Sequence, residues 1–157
     1  MSDLYGQEYH VVPIFAPAQK SATVTGPGIN SGLFDHIQFV LALGDLAAAD
    51  FTVTVECSAV TALSTATAIA FKYRLSAAAG TDTMGAVTAA TTAGLALANA
   101  TYDNMVMLID IDSAQCSAAK PYVGLILTRA GAATAYASLV AICKPRYPQA
   151  VPTLALT

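Results

Sequence analysis

This chain has no tryptophan and little charge. Asp, Glu, Lys and Arg make up 11% of it, against roughly 25% in an average globular protein. Such scarcity raises the question of a membrane. No run of about 18 strongly apolar residues occurs, which speaks against a spanning helix. A membrane barrel wants aromatic girdles and longer strands, and the lack of Trp counts against one. The few basic residues are scattered and the formal net charge is −3, so a nucleic-acid partner is not suggested. The close pairs Lys72/Arg74 and Lys144/Arg146 sit at strand spacing and read as solvated strand faces.

Cysteine is sparse too, at Cys57, Cys116 and Cys143. An odd count without paired spacing is no disulfide framework. Cys57 and Cys143 fall in strand-like stretches and read as small buried hydrophobes; Cys116 reads as a more exposed loop residue. The start, Met1 to Tyr5, lacks the basic residues and apolar core of a signal peptide. Synthesis in a reducing cytosol is therefore expected.

Catalytic patterns are missing as well. His10 and His36 have no partner at metal-ligand spacing, and a surface or hydrogen-bonded histidine is the expectation at both. The Gly-x-Ser-x-Gly and Gly-x-x-x-x-Gly-Lys patterns are absent. Asp110-Ile111-Asp112 puts two carboxylates on one strand face, a spacing that suits Ca²⁺ or a glycosidic bond. A polar strand end entering a loop is the plainer account. The chain reads as non-enzymatic, with no cofactor, metal or small-molecule substrate.

What is present is small and apolar. Hydrophobic residues reach 55%, much of it alanine, so Thr, Ser, Asn and Gln must build the polar surface. Ala and Thr lose little side-chain entropy when immobilised, so such a surface suits extensive contact with partner subunits. The competing account is an ordinary alanine-rich domain. The length, 157 residues, is enough for one domain with a proper core.

The clearest pattern is Phe51 to Ser58, eight residues of strict apolar–polar alternation, the period of a half-buried strand. Phe51, Val53, Val55 and Cys57 point inward. Thr52, Thr54, Glu56 and Ser58 form either a thinly hydrated surface or a subunit contact. The same rhythm marks His36–Leu43, Phe71–Ser76, Met105–Ile111 and Tyr122–Thr128, with a last strand over Thr134–Cys143. Shorter strands are expected at Ser21–Thr25, Ala86–Ala90 and Leu95–Ala98. Residues 59–68 carry little pattern. Asp112 to Ala119 reads as a loop or one helical turn capped by Ser113 or Asp112. Arg129 to Ala132 reads as a hairpin-like connection. Tyr9–Phe15 is extended, interrupted by Pro13 and ended by Pro17, hence an edge strand or an arm on a neighbour. Many strands and no convincing helix imply an all-β fold, an antiparallel β-sandwich or jelly-roll-like single domain over 17–143. Extended arms are expected at 1–16 and, because of two prolines, at 144–157.

Three stretches together carry a family likeness. They are Leu4-Tyr5-Gly6 with Tyr9-His10-Val11-Val12-Pro13; Phe71-Lys72-Tyr73-Arg74-Leu75 with Thr81-Asp82-Thr83-Met84-Gly85-Ala86; and Leu139 to Tyr147, ending Lys144-Pro145-Arg146-Tyr147. In these the chain resembles small Ala/Thr-rich tailed-bacteriophage virion proteins of the capsid decoration (cement) kind. The resemblance implies a β-sandwich or jelly roll that binds the head's outer surface as an oligomer. Its partners would be the major capsid protein and copies of itself, and its location the virion, after synthesis in the host cytoplasm. No catalytic or metal motif carries over. The candidate subunit or capsid contacts lie in the two Pro-marked ends: Tyr5, Tyr9, His10, Phe15, Pro145, Arg146 and Tyr147. Deleting residues 1–16 or 144–157 is expected to weaken assembly more than the fold.

Overall fold

A computed structural model of the chain describes residues 8–47, 50–130 and 135–147. The expected antiparallel sandwich forms, as two six-stranded sheets packed face to face. The elements run β1 (His10–Lys20), β2 (Val24–Thr25), β3 (Ile29–Asn30), β4 (Phe34–Leu43), β5 (Asp50–Ser58), β6 (Thr67–Ile69), β7 (Phe71–Leu75) and β8 (Thr88–Ala90). They continue with β9 (Leu95–Leu97), one helical turn α1 (Asn99–Tyr102), β10 (Val106–Asp112), β11 (Tyr122–Ala130) and β12 (Ala135–Pro145). The first sheet has the order β1-β12-β4-β10-β7-β8. The second is built on β11 and β5, flanked by the short strands β2 and β3 on one side and β6 and β9 on the other.

The alternation read from the sequence is what fills the core. Phe51, Val53 and Val55 of β5 and Val123, Leu125 and Leu127 of β11 are buried from one sheet. Ile37, Phe39 and Leu41 of β4, Met107, Ile109 and Ile111 of β10, and Leu139 and Ala141 of β12 meet them from the other. Emptying such a site costs about 3–5 kcal/mol for a Phe→Ala change.

Several expectations need correction. Pro17 does not end the first strand: β1 runs on to Lys20, paired with β12 of the same chain. An edge strand tolerates proline because one row of its donors has no ladder partner. The register slips between Pro13 and Phe15 and again between Phe15 and Ala18, bulges that absorb the missing donors. From His10 on, the segment is thus the edge strand that was one of its two expected readings, in the domain's own sheet and not an arm on a neighbour. Likewise β12 extends through Pro145, into the segment expected as a tail. Arg129 and Ala130 belong to β11, not to a hairpin. β11 and β12 lie in opposite sheets, so the chain crosses the sandwich between them; Gly131 and Ala132 lie outside the described residues.

The pattern-poor stretch 59–68 holds β6 and a plug. Leu63, buried at a left-handed φ of 54°, packs where any side chain at Gly28 or Gly124 would stand. Ser58 is buried and its hydroxyl donates to the Ser64 carbonyl (2.9 Å). The turn before β9 brings Gly94 against the Val53 carbonyl and the Thr54 methyl. Part of the outer side of β5 is thus covered by the chain's own loops.

The cysteine expectation is also overturned. Cys57, at the end of β5, is disulfide-bonded to Cys116, just past β10, with Cα atoms 5.8 Å apart. Cys57 is on one sheet and Cys116 follows a strand of the other, so the bond ties the two layers. Their 59-residue separation hid this: linear spacing says nothing about strand ends that meet only once two sheets stack. Cys143 alone stays a buried thiol, as expected. Burial pushes its pKa up to about 12.

Candidate functional site

Antiparallel pairing brings the two ends of the described chain together. His10 opposes Cys143 in the β1–β12 ladder, and Pro145 opposes Phe34 in the β12–β4 ladder. Tyr9 and His10 therefore lie beside Pro145, Arg146 and Tyr147 at one end of the first sheet. The His10 ring meets Phe34 edge-on, with centroids 6.1 Å apart. Arg146 is held by three contacts: its N–H donates to the Leu33 carbonyl (3.1 Å), its Nε to Asp35 (3.3 Å) and its Nη2 to the Ser113 hydroxyl (3.1 Å). The Asp35 pair is exposed and contributes at most about 1 kcal/mol. Tyr147 is 72% exposed, the most open of the large hydrophobic side chains described.

Two of the expected contacts are not part of this patch. Phe15 lies beyond the first bulge, half-buried against the core with the Lys20 ammonium 4.7 Å from its ring centre. Tyr5 lies outside the described residues.

Next to the patch, on the sheet's outer face, is a polar row that sequence reasoning missed. Asp110 accepts from His36 Nε2 (3.1 Å) and Gln38 Nε2 (2.9 Å). His36 is thus a hydrogen-bonded histidine, as expected. Tyr9, His36, Gln38, Ile142 and Lys144 line a shallow depression of about 400 Å³. A second, of about 470 Å³, lies on the other side of His36 and includes Lys72, Asp110, Asp112 and Gln115. The signal in the sequence was Asp110 itself, a carboxylate that follows Leu108 on the outward face of its strand.

Asp110 and Asp112 do share a face, but their duties differ. Asp112 accepts from the Ala114 N–H (2.8 Å), while Gln115 Oε1 accepts from the Asp112 N–H (2.9 Å). That is a capping box on the 3-10 turn Ser113–Gln115, and it is the expected cap. Among the described residues, no three His, Cys, Asp or Glu side chains group where they would hold a metal ion. No helix among them is long and apolar enough to cross a membrane.

No family model, curated protein or solved structure matches this chain.

Proposed function

We propose that this chain is a non-enzymatic bacteriophage virion protein, a capsid decoration protein that binds the outer surface of the head as an oligomer. The observation that carries the reading is the meeting of Tyr9, His10, Pro145, Arg146 and Tyr147 at one end of a rigid sheet. These are five of the seven candidate contacts read from the two Pro-marked ends of the sequence. A cement protein acts through area and not through chemistry. Each contact is weak, and many copies on a lattice hold multivalently. The Cys57–Cys116 bond suits a particle that ends up outside a reducing cytosol, where disulfides persist.

The test is co-sedimentation of the purified chain with capsids, together with antibody labelling of whole particles. Label on the head and co-sedimentation are expected. Label confined to the tail, neck or fibre base would move the protein there, and no label would overturn the reading.

A second reading, a carbohydrate-binding sandwich, is favoured by one feature: Asp110 and Asp112 line the same depression beside Lys72 and Gln115. If D110N/D112N leaves glycan binding unchanged, this second reading is lost.

A further inference from the structure

The outer face of the first sheet is only partly buried, and its centre is apolar. In β4, β10 and β12, residues alternate between the core and this face. Val40 lies between Leu108 and Val140 in the ladders, and Ile142 between Val11 and Gln38. Val106 extends the band along β10. Val40, Leu108, Val140, Ile142 and Val106 are only partly buried and Val11 is 48% exposed. A solvated antiparallel sheet carries polar residues at these positions. The outer side of the second sheet, by contrast, is partly covered by Leu63 and the Gly94 turn.

We infer that this outer face of β1, β12, β4 and β10 is where a second copy of the chain packs, sheet against sheet. The inference deepens the proposed function by naming the surface through which the oligomer forms.

Three features favour a second copy as the occupant. The first is size. With strands about 4.8 Å apart and about 3.3 Å of rise per residue, the face spans on the order of 600 Å², at the lower end of what each partner gives a stable complex. The second is charge. The polar row beside the band mixes signs, with Asp110 opposite Lys72 in one ladder and Lys144 opposite His36 in another. A face of mixed sign accepts a copy of itself, whereas a face of one sign repels it. The third is the blocked edge. Pro13, Pro17 and the two register slips in β1 hinder edge-to-edge pairing on the side of the sheet nearest the band.

The test is the mass of the full chain by light scattering or sedimentation at micromolar concentration. The wild type is expected as a dimer or a multiple of one. V40K/L108K places a lysine from each of two strands in the band, and is expected to weaken association about a hundredfold or more. Its circular dichroism and melting temperature should stay near those of the wild type, because both side chains point away from the core. V140K, a change on the neighbouring strand, is the second variant should the double one fail to fold. A monomeric wild type, or a folded variant that keeps the wild-type mass, overturns the inference. Capsid co-sedimentation of the same proteins separates the two proposals. A monomer that binds capsids, and loses them on V40K/L108K, assigns the face to the shell and sinks only the dimer. A dimer that ignores capsids sinks only the decoration reading.

Discussion

Cys57 and Cys116 behave differently from Cys143, and one experiment distinguishes all three. In native protein none should react with a thiol reagent near pH 8. Cys57 and Cys116 are bonded, and Cys143 is fully buried with its pKa pushed up to about 12. In denaturant without reductant, Cys143 alone should react; after reduction, all of them should. Closing a loop of this length stabilises a fold by about 4 kcal/mol in the chain-entropy account. For a domain of this size each kcal/mol moves the melting temperature by roughly 2–4 °C. Reduction, or C57S/C116S, should therefore lower it by about 10 °C. Full thiol reactivity in denaturant before any reduction would contradict the bond.

Among the elements, the β8–β9 connection is tightly constrained. It leaves one sheet at β8 and enters the other at β9, and Gly94 makes the close approach at φ 81°. A Cβ there would run into the Val53 carbonyl. Gly80 has a similar φ of 70° but open space around it. Both Gly→Ala changes carry the backbone penalty of about 1 kcal/mol, and Gly94→Ala should cost a further 1–2 kcal/mol from the collision. Urea unfolding of the two variants measures the difference. Equal losses would mean that the turn moves aside easily.

At the scale of the molecule, the N-terminal stretch takes the edge-strand reading and not the arm. Val12 and Ile14 are 4% and 8% exposed and belong to the core, so β1 is part of the sandwich. Deleting residues 1–16 should therefore cost several kcal/mol, not only assembly. R146A/Y147A removes two exposed side chains. It should leave the melting temperature within a few degrees while capsid binding falls. Thermal unfolding of both variants, set beside co-sedimentation, checks this. A 1–16 deletion that melts like the full chain would return the segment to the role of an arm.

Strand periodicity was legible in the chain from the start. Phe51–Cys57, Ile37–Leu43, Met107–Ile111 and Val123–Leu127 each announced an inward face, because a strand's side chains alternate whatever surrounds it. The Asp112 cap was legible for the same reason: its partners lie within three residues. Tyr9, His10, Pro145, Arg146 and Tyr147 could be named from the two ends, but their meeting could not, since it depends on β1 pairing with β12. Asp110 with His36, Cys57 with Cys116 and Leu63 with Gly124 were likewise out of reach. Each joins residues remote in sequence, and their contact exists only after strand order and sheet stacking are settled. Local sequence thus decided which stretches became strands and which side of each faces inward. Tertiary structure decided which strands became neighbours, and with that where the apolar outer band and the polar row beside it came to lie.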